Sequence, residues 1–139
     1  MVIYESNMLN ISVIIHTLNE ELNLPFALES VLGKFSEVVI VDSGSSDDTQ
    51  NIAKRAGCTL IEIEGERSTL VKMRNWALDS IKFKNNWVFV LDADETIADD
   101  LYQEICSLFA QGEPCKNGYW VRYKNIFLGE WCKRSSIYP

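Results

Sequence analysis

Asp92 and Asp94 stand two residues apart, directly after the apolar run Trp87-Val-Phe-Val-Leu91. Two carboxylates at that spacing on a strand end can share a hard divalent cation. A plainer reading competes with it: Asp94, Glu95, Asp99 and Asp100 would also complement the dipole of a following helix. Two more apolar runs end in polar residues, with Thr17, Asn19 and Glu20 after Ile11-Ser-Val-Ile-Ile-His16 and Asp42 after Glu37-Val-Val-Ile-Val41. Open parallel sheets bind ligands outside the carboxyl ends of their strands, so three such ends together point to a ligand more than to three unrelated caps. The pocket they form is acidic, and a diphosphate enters an acidic pocket only with Mg2+ or Mn2+ between the two sets of negative oxygens. A nucleotide diphosphate is therefore a candidate ligand.

The elements that must carry these residues follow from the apolar spacing. The β-branched run 11–16 is of the type that forms a buried parallel strand. After Pro25, Phe26-Ala-Leu-Glu-Ser-Val-Leu32 has helical spacing with Gly33 as its stop, and 37–42 is a second strand that completes a βαβ unit. Ser43-Gly-Ser-Ser-Asp-Asp48 supplies a turn, and Ser45 with Asp48 reads as a capping box opening a helix that runs to about Ala56. A third strand is expected near 58–63. Leu70, Met73, Ala77 and Ile81 form one stripe of an amphipathic helix over 69–82, which carries Arg74. The run 87–91 is a fourth strand, and Leu101, Ile105, Leu108 and Phe109 mark a further helix. Strands alternating with helices predict an α/β fold, a mostly parallel sheet with right-handed crossovers and helices on both faces.

Composition narrows the function classes. At 139 residues, 47% hydrophobic and 24% charged, the chain fits one globular domain, while 13 Lys and Arg against 20 Asp and Glu leave a net charge of -7. That balance disfavours nucleic acid as a partner. Cys58, Cys106, Cys115 and Cys132 contain no C-x-x-C pair, and His16 is the single histidine, so reduced thiols in a cytoplasmic protein are expected rather than a zinc site. No apolar run approaches the roughly 18 residues that span a bilayer. Peripheral attachment at the inner face of a membrane stays open. Beyond Pro114 the character changes: residues 115–139 hold six aromatics and five basic residues against one acid, Glu130, so this tail is +4 and the first 114 residues are -11. Gly118-Tyr-Trp-Val-Arg-Tyr123 and Phe127-Leu-Gly-Glu-Trp131 read as short antiparallel strands.

Three nucleotide or phosphate chemistries can be set against the same residues. The segment after the first strand, Thr17-Leu-Asn-Glu-Glu-Leu-Asn-Leu24, has no glycine for a dinucleotide-binding turn, and no G-x-x-x-x-G-K-[ST] occurs anywhere. Asp92-Ala-Asp-Glu-Thr96 does fit the D-x-D-x-T motif of haloacid-dehalogenase-type phosphatases, but those need a later Lys and a further acidic pair, and only 43 residues follow Thr96. The fullest match lies elsewhere. Ser12-Val-Ile-Ile-His-Thr-Leu-Asn-Glu-Glu21, Val39-Ile-Val-Asp-Ser-Gly-Ser-Ser-Asp-Asp-Thr49, Arg74-Asn-Trp-Ala-Leu78 and Val90-Leu-Asp-Ala-Asp-Glu95 resemble the successive motifs of family 2 glycosyltransferases. More narrowly, Asn125-Ile-Phe-Leu-Gly-Glu-Trp131 and Tyr138-Pro139 resemble the lipopolysaccharide-core β-glucosyltransferase branch.

That resemblance implies a Rossmann-like GT-A fold in one domain over 1–139. Residues 1–10 would be an N-terminal extension, 11–114 a nucleotide-sugar-binding core and 115–139 a partial acceptor-side β segment. It implies metal-dependent binding of a UDP-sugar, UDP-glucose favoured, and inverting transfer of a hexose to a glycan or lipid-linked acceptor. Thr17, Asn19 and Glu20 would line the nucleoside pocket, Asp42 would accept the uracil N3–H, and Arg74 would lie near uracil or diphosphate. Asp92 would face ribose or sugar, while Asp94, with Asp92, would hold the Mg2+ or Mn2+. His16 and Leu18 depart from the family's usual proline and aromatic, and Ile137 departs from a tryptophan common in the narrower branch. The family's general base is an Asp or Glu well downstream of the D-x-D, and 45 residues follow Asp94. The expectation is thus a donor-binding half, truncated at its C-terminus and lacking the base, or else an inactive binding or assembly module. Tail aromatics normally covered by further chain would drive self-association through residues 119–138, or dock on anionic lipid.

Overall fold

The computed structural model describes residues 8–63 and 70–132. In chain order the elements are β1 (Leu9–Thr17), α1 (Leu24–Val31), β2 (Phe35–Asp42), α2 (Thr49–Arg55), β3 (Thr59–Glu62), α3 (Leu70–Ser80), β4 (Trp87–Asp92), α4 (Asp99–Phe109), β5 (Ile126–Phe127) and β6 (Glu130–Trp131). The first four strands form one sheet in the order β3-β2-β1-β4, every neighbouring pair parallel. Its central strand, β1, is buried from Ile11 to Thr17, which is why that run carries apolar residues on both faces instead of alternating. Ile11, Val13 and Ile15 pack with Leu24, Ala27, Leu28 and Val31 of α1 and Ala53 of α2, and Leu101, Tyr102, Ile105 and Phe109 of α4 lie against the same cluster. Ile14, with Val39 and Val41, packs on Ala77 and Trp76 of α3 across the other face. Helices therefore cover both faces, as the alternating pattern predicts. Gly33 and Gly57, at φ of +75° and +73°, follow α1 and α2 in the left-handed conformation that closes helices.

Three expectations need correction. Ser45 does not cap α2: the helix begins at Thr49, because the Ser45 hydroxyl and backbone N–H both donate to Asp42 instead. The run 118–123 forms no strand, and the antiparallel pairing is confined to Ile126↔Trp131 and Phe127↔Glu130. Leu108 is 39% exposed, since the apolar stripe of α4 follows Leu101, Ile105 and Phe109 and leaves Leu108 beside it. Thr69, at the expected start of the third helix, and Ile137, Tyr138 and Pro139 lie outside the described residues.

The opposite, amino end of the sheet is closed by a buried polar network. Glu37 accepts from Ser12 Oγ (2.5 Å) and from the Lys84 N–H (2.8 Å), while Asn85 Nδ2 donates to Ser12 Oγ and Ser36 Oγ. These bonds anchor the connection between α3 and β4, so they fix where β4 starts and hence where Asp92 ends.

Candidate functional site

The strand order places β2 on one side of β1 and β4 on the other, so the crevice beyond their carboxyl ends lies where the winding reverses. Register sets the residues there side by side: Thr17 opposite Asp42, and His16 opposite Asp92. Neighbouring residues of a strand face opposite sides of the sheet. Thr17 and Asp42 accordingly belong with α1 and α2, and His16 and Asp92 with α3.

Asp42 is fully buried and its carboxylate is occupied on both oxygens. Oδ1 accepts from Thr17 Oγ1 (2.7 Å) and Ser45 Oγ (2.5 Å); Oδ2 accepts from Ser45 N (2.8 Å), Gly44 N (3.1 Å) and Gln50 Nε2 (2.8 Å). Burial is the largest single influence and pushes the Asp42 pKa up, but the bonds from Ser45, Gln50 and Thr17 together outweigh it and hold the carboxyl below its usual range. The anion is thereby the organising centre of the turn after β2.

A second set of bonds ties that turn to the loop after β1. Asn19, at φ +56°, donates its N–H to Ser45 Oγ (2.8 Å), and its Oδ1 accepts from Ser46 N (2.8 Å). Glu20 N donates to Thr49 Oγ1 (2.8 Å), Glu21 N to Asp47 Oδ2 (3.1 Å), and Asp48 N to Glu21 Oε2 (2.9 Å). Asn19 thus spends its side-chain oxygen on the neighbouring loop, and the Glu20 carboxylate accepts from Asn23 (2.9 Å). Leu18 stands 54% exposed on the same rim. The sequence reading missed Ser45, Thr49, Gln50 and Glu21 as builders of this rim. A serine- and aspartate-rich turn gives no hint that Ser45, Thr49 and Glu21 bond to residues or backbone some 26 to 29 positions away, or that Gln50 reaches back eight positions to Asp42.

On the α3 side, Arg74 Nη2 pairs with Asp92 Oδ1, each side chain about one-third exposed. Arg74 Nε is buried without a hydrogen-bond partner, as are both ring nitrogens of His16. Burial, and then the Arg74 charge, push the His16 pKa down, with Asp92 opposing. Asp94 is exposed. It lies before Ala98, the N-cap of α4, whereas Asp99 and Asp100 occupy the first helical turn, so the helix-dipole reading applies to those two and not to Asp94. Glu95 accepts from Asp92 N (3.2 Å), and burial followed by the Asp92 and Asp94 charges raises its pKa against that bond and Arg74. Among the described residues no group of three or more His, Cys, Asp or Glu side chains could enclose a metal ion. One or two carboxylates at an open edge suit a Mg2+- or Mn2+-type ion whose other ligands are phosphate oxygens and water, not a cage built wholly of protein.

Comparison with known proteins decides what this edge belongs to. The family model described as Glycosyl transferase family 2 matches residues 12–135. The chain belongs to glycosyltransferase family 2. The Asp92-Ala-Asp-Glu-Thr96 segment lies inside that match, and the phosphatase expectation is not favoured. Similar relatives include uncharacterized glycosyltransferases of Rickettsia typhi, 36% identical over 108 residues, and Rickettsia prowazekii, 35% identical over 107. These alignments cover 74% and 73% of this chain and 34% of each relative, so the chain spans about a third of the length of the curated relatives it matches. Among solved structures, S. aureus TarS 1-349 aligns at a TM-score of 0.62 and 23% identity, over 84% of this chain and 39% of that one. Mycobacterium tuberculosis glucosyl-3-phosphoglycerate synthase in complex with UDP aligns at 0.51 and 26%, over 61% and 34%. The same synthase with Mn2+, UDP and glucosyl-3-phosphoglycerate aligns at 0.55 and 23%, over 74% and 40%. The fold of this glycosyltransferase domain is that of GT-A enzymes.

Proposed function

We propose that this edge binds a UDP-sugar together with Mg2+ or Mn2+, as the donor side of an inverting hexosyl transfer. The observation that carries the reading is the meeting of three strand ends at the reversal of the sheet, with the Arg74–Asp92 pair and the exposed Asp94 on one side and the Asp42-centred loop on the other. The UDP complex of the mycobacterial synthase supports the choice of nucleotide. The base would lie against the rim formed by Leu18, Asn19 and Glu20, with apolar contact from Leu18 where the family commonly stacks an aromatic ring. Asp42, with both oxygens engaged, would act chiefly by holding that rim; the uracil N3–H would reach it only by displacing a present donor such as Gln50. Asp94, with Asp92, would hold the cation. When bound, the cation neutralises charge on a departing diphosphate. Arg74 is placed to meet the same diphosphate with its planar, permanently charged fork.

The acceptor would be a glycan or lipid-linked saccharide of the lipopolysaccharide-core type, met on the side of the tail. Trp120, Tyr123, Phe127 and Trp131 are exposed there, which also favours self-association through residues 119–138. Glu130, on β6, is exposed on that side. The nucleotide assignment is tested by calorimetric titration of UDP-glucose, UDP, GDP-mannose and ADP in the presence of Mn2+. Binding of the two uridine ligands at least tenfold tighter than the purine ones is expected. Equal binding of all four, or binding of none, would overturn it.

A further inference from the structure

The Arg74–Asp92 pair raises a problem for the cation that the rest of the site does not. Asp92 can contribute to a divalent ion only with its charge available, yet Oδ1 is taken by the Arg74 guanidinium. A cation at Asp94 would sit beside that guanidinium, and two positive groups sharing one carboxylate repel each other. The pairing is also incomplete. It runs from Nη2 alone, while Arg74 Nε and both nitrogens of the adjacent His16 are buried without partners. Buried donors left unmet are costly, so Arg74 gains by moving to a partner that satisfies its fork on more than one nitrogen. A diphosphate is such a partner, since its oxygens accept two parallel N–H bonds from one guanidinium.

We propose that Arg74 is a built-in counter-ion that occupies Asp92 until a nucleotide diphosphate draws it away, so that the cation and the nucleotide enter this site as a coupled pair. The proposal rests on the donor-site reading above and adds a role for Arg74 that a simple diphosphate contact does not include. Before the nucleotide arrives, Arg74 keeps the divalent ion weakly bound. When the diphosphate takes the guanidinium, Asp92 is freed and the ion gains a second carboxylate beside Asp94. Because coupling between two ligands is reciprocal, the ion must raise the affinity for the nucleotide by the factor by which the nucleotide raises the affinity for the ion.

Mn2+ binding is measured by electron paramagnetic resonance of the free ion, with and without saturating UDP, in the wild-type chain and in Arg74→Gln, Arg74→Lys and Arg55→Gln. Arg55 pairs with Asp48 on α2 and controls for the loss of one positive charge elsewhere. Arg74→Gln should bind Mn2+ without UDP on the order of tenfold more tightly than wild type, and the gain conferred by UDP should shrink by about the same factor. Arg74→Lys, which keeps the charge, should stay near wild type without UDP, and so should Arg55→Gln. Mn2+ binding without UDP that is unchanged or weaker in Arg74→Gln, while wild type still shows UDP-dependent uptake, overturns the counter-ion role and leaves the donor site standing. An equal tightening in Arg55→Gln overturns it as well, since the effect would then be net charge. If wild type takes up no Mn2+ even with UDP, the donor-site reading fails and the counter-ion role fails with it.

Discussion

Replacing Asp42 tests whether one buried carboxylate organises the whole rim. Five donors converge on it: the Thr17 and Ser45 hydroxyls, the Gly44 and Ser45 N–H groups, and the Gln50 amide. In Asp42→Ala, Thr17 is buried and can reach no water, so its hydroxyl is left unmet at a cost of about 1–3 kcal/mol. Gly44, Ser45 and Gln50 are partly or largely solvent-accessible and recover part of their loss, adding about 0.5 kcal/mol each. The sum is about 2.5–4.5 kcal/mol, a large share of the roughly 5–15 kcal/mol that holds a small domain together. Asp42→Asn should cost about half as much: its amide oxygen can still serve the Gly44, Ser45 and Gln50 donors, and the two hydroxyls can turn to accept from its NH2. Urea denaturation followed by tryptophan fluorescence measures both, with the midpoint falling in the order wild type, Asn, Ala and the slope unchanged. The pH dependence has a fixed sign. Because folding lowers the Asp42 pKa, its contribution is complete above the unfolded value near 4 and is lost as pH falls through the folded one. Wild type should therefore lose more stability than Asp42→Asn between about pH 5 and the acid limit of the folded state. An Asp42→Asn chain with wild-type midpoint and an equal acid response would refute the argument.

Further outcomes follow from the same bonds. Ser45→Ala removes the hydroxyl that joins Asp42 to the Asn19 N–H, and should weaken UDP binding several-fold while lowering stability by about 1 kcal/mol; Ser45→Thr should restore most of both, as calorimetry and urea melts would show. Glu37→Ala strands Ser12 and the Lys84 N–H at the far end of the sheet and should cost about 2 kcal/mol, with amide exchange at Lys84 accelerating markedly. Sedimentation at tens of micromolar should show concentration-dependent association that Trp120→Ser with Trp131→Ser abolishes; a strictly monomeric wild-type profile would count against the tail as a contact surface.

Much of this architecture is readable from residue order because its signals are local. The continuous apolar run through Ile11, Val13, Ile14 and Ile15 states that both faces are covered, and the helices Leu24–Val31, Leu70–Ser80 and Asp99–Phe109 fall where their apolar spacing places them. The strand ends at Thr17, Asp42 and Asp92 could also be located, since each apolar run stops at a polar residue. What the side chains there do to one another was hidden. Ser45 and Asp48 have the spacing of a capping box, but Asp42, three positions earlier, offers a buried anion that outcompetes the helix end. Asn19 and Glu20 spend bonds on Ser46, Thr49 and Asn23, and Arg74 on Asp92, through contacts that depend on the register of β1 with β2 and β4 and not on any local pattern. Tyr119, Val121 and Tyr123 alternate as a strand would, yet form none, because no partner strand among the described residues meets their backbone.

The central claim, a metal-dependent UDP-sugar site at the carboxyl edge of this sheet, is tested most directly by titrating UDP-glucose calorimetrically into the chain with Mn2+ and then with chelator, alongside Asp94→Asn. The account predicts saturable binding with Mn2+, a loss of at least tenfold in affinity with chelator, and a comparable loss in Asp94→Asn even with Mn2+ present. Binding indifferent to both the ion and Asp94, or no binding under any condition, would contradict it.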